Sequence, residues 1–145
     1  MVAALGAVPF EAAGPLQPLH GDFNAGNLRR DGGAIRIFDF DDCGYGPAVF
    51  DVANALYMVL FDALSSGGGA HYRSFEDAFV SGYEAVCGDA VDRNELDGFL
   101  QLRVTALEVW LDDHLATAPV GIRSAAPTWH ATLRSFIDRY HAQVV

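Results

Sequence analysis

The sequence predicts a mainly α-helical domain with a small β-hairpin near its beginning, and three observations carry that prediction. Apolar residues recur at helical spacing at Val52, Ala55, Leu56, Val59, Leu60 and Ala63, the periodicity of one buried helix face. A turn signal, Asp31-Gly32-Gly33, separates a short extended run over 26–30 from the β-rich Ile35-Arg36-Ile37-Phe38, which reads as two strands folded back on each other. The chain has 145 residues, 51% of them hydrophobic and 19% charged. That is a composition able to bury roughly 68–70% of its unfolded surface in a single core.

Taken in order, residues 1–18 are rich in Ala, Gly and Pro, with Pro9, Pro15 and Pro18 cutting any helix short. They read as an irregular lead-in, and residues 19–145 as one domain. The hairpin follows, then a loop over 43–47, Cys-Gly-Tyr-Gly-Pro, then the first helix with Asp51 as its N-cap. Three more helical segments are expected at about 71–86, 95–116 and 128–143. The run Ser65-Ser66-Gly67-Gly68-Gly69 resembles a phosphate-cradling loop in composition alone. No strand precedes it and no Gly-Lys-Ser/Thr follows, so it reads as a helix connector.

Charge narrows the function. Nineteen carboxylates face nine arginines, no lysine is present, and the net charge is −10. Nucleic acid is thereby excluded as an expected partner, because phosphate backbones are gripped by clustered Lys and Arg. Cys43 and Cys87 lie far apart without C-x-x-C spacing, which suggests two reduced thiols and neither a disulfide framework nor a zinc site. No basic, apolar leader opens the chain, and the most apolar stretch, 49–64, is interrupted by Asp51, Asn54 and Asp62. No membrane is expected, and a cytoplasmic location is the default.

The chemistry concentrates in His20-Gly21-Asp22-Phe23-Asn24-Ala25-Gly26-Asn27, followed twelve residues after Asn27 by Asp39-Phe40-Asp41. An Asp, an Asn five positions later, a hairpin and a second Asp form the arrangement kinases use for phosphoryl transfer. A hydroxyl attacking a γ-phosphate needs a carboxylate to orient it and take its proton, a role open to Asp22. Magnesium prefers oxygen ligands, which the Asn27 amide and the Asp39 carboxylate offer. The hairpin should bring its two ends, and hence Asn27 and Asp39, to one place beside Asp22. His20 reads as a structural residue packing against the hairpin. Asp41 and Asp42 have no role fixed by spacing.

His-Gly-Asp with its Asn, then Phe-Asp-Phe-Asp-Asp, then Gly-Pro and Phe-Asp-Val-Ala is similar to the catalytic core of the aminoglycoside phosphotransferase and choline kinase superfamily. The similarity is strong over about 19–60 and only a helical pattern beyond. In that family the Arg of the protein-kinase His-Arg-Asp is typically replaced, as by Gly21 here. The resemblance implies the C-terminal lobe of a protein-kinase-like fold, ATP and Mg2+ as cofactors, and transfer to the hydroxyl of a small molecule, with an amino sugar or amino alcohol suggested by the acidic balance. It implies a catalytic base at Asp22, metal ligands at Asn27 and Asp39, and at Asp51 a buried carboxylate bracing the catalytic loop. The acceptor pocket would come from the C-terminal helices, where Glu84, Glu108, Asp112 and Asp113 are the acidic candidates.

A complete relative carries an N-terminal lobe before the His-Gly-Asp loop, with a lysine paired to a helical glutamate. Only nineteen residues precede His20, so the N-terminal lobe is expected to be absent, no residue is assigned to nucleotide binding, and the isolated chain should be inactive. A gene fragment or truncation accounts for this more simply than a natural stand-alone lobe. Two alternatives follow. One is a non-catalytic interaction module whose exposed apolar surface binds a partner lobe or a second copy of itself. The other is a metal-dependent hydrolase built on His20, Asp22, Asp39 and Asp41, disfavoured by its single histidine.

Overall fold

The computed structural model describes residues 14–66, 69–117, 119–121 and 127–144. It is mainly helical, with two small antiparallel sheets at the N-terminal end. Strand β1 (Leu16–Leu19) pairs with β4 (Gly44–Pro47), and β2 (Leu28–Asp31) pairs with β3 (Ala34–Ile37). Helices α1 (Val49–Ser66), α2 (Gly69–Cys87), α3 (Arg93–Thr117) and α4 (Pro127–Val144) follow.

The predicted hairpin is β2–β3, joined through Gly32 at φ 61°. Its first strand starts at Leu28 because Ala25–Asn27 closes a 3₁₀ turn, in which the Asn24 side chain accepts from Gly26 N–H at 2.8 Å. The β1–β4 pair corrects two expectations, since 16–18 was read as irregular lead-in and 43–47 as loop. Both strands carry proline and β4 two glycines, residues that weaken any strand signal and are tolerated in a two-stranded edge ribbon. Residues 1–13, the rest of the lead-in, lie outside the described residues. The ribbon ties off the base of segment 20–43, which carries the whole His-Gly-Asp loop, the hairpin and Asp39.

Helices α2, α3 and α4 fall within two residues of their expected bounds. Of the expected connector Ser65 to Gly69, Ser65 and Ser66 instead belong to α1 and Gly69 to α2, while Gly67 and Gly68 lie outside the described residues. Helix α2 is closed by Gly88 at φ 81°, whose N–H bonds to Glu84 O, a left-handed cap that glycine adopts without strain. Helix α3 opens on Asp92, whose carboxylate accepts from the N–H groups of Asn94 and Glu95. Helix α4 opens on Pro127, favoured at a first turn because the missing N–H is not needed there.

Helix α1 is long and apolar enough to cross a bilayer, yet α2, α3 and α4 all pack on it. The core between them is built from Leu56, Val80, Leu96, Phe99, Leu111, Phe136 and Ile137. Phe50 meets Phe99 edge-on, and Tyr57 meets Phe136 likewise.

Asp51 is not the N-cap. The helix starts at Val49, three residues before an Asp51 cap would place it, and the Ala48 carbonyl accepts from the N–H groups of Asp51 and Val52. Asp51 therefore stands in the first turn with its carboxylate free for other partners.

Candidate functional site

The loop that carries Asp22 is fixed from below by α1. The Asp51 carboxylate accepts from His20 N–H at 2.7 Å and from Gly21 N–H at 3.0 Å. One helical turn on, buried Asn54 donates through Nδ2 to Gly21 O at 2.7 Å. Residues three apart share a helix face, so α1 presents side by side a carboxylate to the Gly21 N–H and an amide to the Gly21 carbonyl. The bracing expected of Asp51 is seen here, and Asn54 is a partner in it that the sequence reading passed over.

Gly21 explains its own place in the motif. Its φ is +85°, and a β-carbon there would lie 2.0 Å from Asp42 O. No side chain fits, because the backbone of 42 crosses directly over it.

His20 is buried and both ring nitrogens are engaged. Nδ1 accepts from Asp22 N–H at 3.3 Å and Nε2 lies 2.9 Å from Phe38 O, so a proton on Nε2 satisfies both bonds. The ring packs against Phe40 and Phe23. It links the Asp22 loop to the end of β3, the structural role expected of it, and neither nitrogen is left for a metal.

Asp22 and Asn27 meet directly. Asn27 Nδ2 donates to Asp22 O at 2.9 Å and to Asp22 Oδ2 at 3.1 Å. With the nitrogen spent twice on Asp22, the amide oxygen is the end available to a cation. Asp39 follows directly on the residue that ties this strand to Asn27: Phe38 N–H bonds to Asn27 O at 3.2 Å, and Asp39 is the next residue. It is exposed and holds φ 64°, a left-handed conformation uncommon outside glycine and tolerated best by Asp and Asn. Strain of this kind gathers at functional sites.

Helix α3 contributes a residue that no sequence feature marked. Arg103 Nη2 lies 3.7 Å from Asp22 Oδ1, and its guanidinium lies 5.1 Å from the centre of the Tyr57 ring. Burial pushes the Tyr57 hydroxyl up to about 12, with the Arg103 charge working the other way.

The acidic candidates for an acceptor pocket are largely spoken for. Glu84 accepts from Val91 N–H, and Glu108 and Asp112 both pair with Arg134 across α3 and α4, Glu108 also meeting His141. These contacts tie helices together. Beside the loop an apolar cleft of about 580 Å³ opens among Pro18, Leu19, Phe23, Ile37, Phe40 and Tyr45.

The chain matches the phosphotransferase enzyme family over residues 2–99, and it belongs to that family. It is 36% identical over 81 residues to amicoumacin kinase of Bacillus subtilis, a match covering 54% of this chain and 22% of that protein. It is 35% identical over 83 residues to an uncharacterised protein of Synechocystis sp., covering 56% of this chain and 21% of that one. The chain thus spans about a fifth of the length of these curated relatives in the matched region. No solved structure matches it.

Proposed function

We propose that this chain is the C-terminal, catalytic-loop lobe of an ATP-dependent phosphotransferase acting on the hydroxyl of a small molecule. The observation that carries the proposal is the Asp22–Asn27 pair, hydrogen-bonded side chain to side chain, with Asp39 next to Phe38, whose N–H bonds to Asn27 O. In this reading Asp22 orients the acceptor hydroxyl and takes its proton as the new bond to the γ-phosphorus forms and the bond to the ADP leaving group breaks. Asn27 Oδ1 and the Asp39 carboxylate are hard oxygen donors, and they fit magnesium. So small a protein donor set suits an ion that takes one or two carboxylates and completes its shell with water and phosphate oxygens. Bound there, the ion would neutralise charge on the phosphates.

The rest of the nucleotide site we assign to an N-terminal lobe outside these residues. The 145 residues hold no lysine to grip the phosphates. The exposed apolar side chains Ile35, Ile37, Phe40 and Tyr45 form the surface such a lobe would cover. The hydrolase alternative loses support, since His20 has no free nitrogen. An amino sugar or amino alcohol acceptor is the class that the net charge of −10 suits.

The test has two parts. Calorimetry on the 145-residue chain should show weak Mg-ATP binding at best and no phosphoryl transfer, because positioning is most of this catalysis. Adding the upstream lobe should restore turnover, and Asp22→Asn should then lower kcat by about 10²–10⁴-fold. Turnover by the lone chain would refute the division of labour, and an active Asp22→Asn enzyme would refute the base.

A further inference from the structure

Asp22 is held at both carboxylate oxygens, by groups of different kinds. Oδ2 accepts a hydrogen bond from Asn27 Nδ2 at 3.1 Å. Oδ1 faces Arg103 Nη2 on α3 at 3.7 Å, an ion pair beyond hydrogen-bond length. Arg103 therefore acts on Oδ1 through its charge without spending a lone pair. The Asp22 side chain is 37% exposed, so that lone pair remains open to the proton of an incoming hydroxyl.

The guanidinium itself is fixed by packing. It lies over the Tyr57 ring, 5.1 Å from the centroid, and its Nε is turned inward, buried without a hydrogen-bond partner. Tyr57 stands on α1 three residues beyond Asn54, which bonds to Gly21 O, so one helix supports both Arg103 and the Asp22 loop. Stability does not account for this arrangement. A partly exposed ion pair adds little, and a buried N–H left unpaired costs more than such a pair returns. The arrangement delivers direction instead: Nη2 stays on Oδ1 while the ring beneath keeps the planar guanidinium from swinging away.

We infer that Arg103 is a positioning residue for Asp22, fixing the carboxylate so that Oδ1 is presented to the acceptor hydroxyl. The inference rests on the reading of Asp22 as the base. In the transfer step the hydroxyl proton goes to Oδ1 as the hydroxyl oxygen bonds to the γ-phosphorus and the bond to ADP breaks. Arg103 keeps its protons throughout and acts only through Asp22. Without it the carboxylate is held at one oxygen by Asn27 and is free to rotate about that bond, and misplacement by an ångström costs about 10²-fold in rate.

Arg103→Gln and Arg103→Lys are to be compared in the 145-residue chain and in the lobe-completed enzyme. In the lone chain the Asn27 side-chain amide, followed by NMR, reports on Asp22 without turnover. Arg103→Gln should lose the protection of those amide protons against exchange with water, and Arg103→Lys, which keeps the charge, should retain it. In the lobe-completed enzyme Arg103→Gln should lower kcat by about 10²-fold, with KM for both substrates and the urea midpoint unchanged, and Arg103→Lys should recover most of the loss. A lowered urea midpoint with kcat intact would make Arg103 merely structural and overturn the inference, as would an Asn27 amide indifferent to Arg103→Gln. Should Arg103→Gln fail to fold, relaxation of the wild-type Arg103 Nε–H decides: order matching the backbone supports the inference, and free reorientation overturns it. The reading of Asp22 as base fails separately, if the wild-type lobe-completed protein transfers no phosphate; the Asn27 amide then still decides whether Arg103 holds Asp22.

Discussion

Gly21 is the residue at which the family motif and the packing of this chain can be told apart. A methyl group there meets the Asp42 carbonyl at 2.0 Å, and the backbone is left-handed. Gly21→Ala should therefore destabilise the fold by about 2–4 kcal/mol in urea denaturation, since both a steric clash and backbone strain must be relieved. A loss within experimental error would mean that the 42 backbone does not cross where it is placed. Asp51 offers a second test at this scale. Its carboxylate satisfies two loop N–H groups, and Asp51→Ala orphans both at a cost of about 1–3 kcal/mol each where they are shielded from water. The measurable result is a lowered urea midpoint together with lost protection of the His20 and Gly21 amides. The contacts among His20, Asp22 and Asn27 were legible because their spacing is local. Arg103 was not, because an arginine eighty residues downstream looks like any helix-face charge until α3 is packed against the loop.

The hairpin and the helices differ in how far local sequence specifies them. The helical segments were legible from periodicity, for the apolar stripe that signals a helix is the same stripe that packs the core. Strands β1 and β4 were not, because their pairing joins residues far apart in the chain, from Leu16 with Pro47 to Leu19 with Gly44, through residues with poor strand propensity. The β2–β3 hairpin was legible from its turn, yet it is the least supported element: every residue of β3 is exposed. A two-stranded hairpin is marginal in water without a covering layer, and this one is held by Phe38 N–H to Asn27 O, Phe38 O to His20 and the Arg29–Phe38 contact. Hydrogen exchange on the isolated chain should show β2–β3 amides exchanging well ahead of those in α1 and α3. Adding the proposed upstream lobe should slow them. The Asp31–Arg36 pair, with both side chains mostly exposed, should matter little, and Arg36→Ala should change stability by less than about 1 kcal/mol.

For the whole molecule, the helical core makes a pH prediction that is independent of the catalytic reading. Burial pushes the Tyr57 and Tyr140 hydroxyls up to about 12, and moves Tyr72 further in the same direction with help from neighbouring Glu76. Tyrosine in an unfolded chain ionises near about 10, so between about pH 10 and pH 12 the folded state holds protons that the unfolded state has released. Stability falls with rising pH wherever the folded state binds more protons. The contribution of these groups is thus fully present below about pH 10 and lost as pH climbs through 12. These tyrosines lie on α1, α2 and α4, so the loss should appear as one cooperative unfolding of the bundle. Absorbance of tyrosinate and helical circular dichroism should then change together on alkaline titration. Tyr57→Phe keeps the ring under Arg103 while removing the ionisable hydroxyl, and should flatten the stability decline by an amount on the order of 2 kcal/mol. If tyrosinate absorbance instead rises fully near pH 10 with the helices intact, the three hydroxyls are open to water and the bundle is packed differently around them.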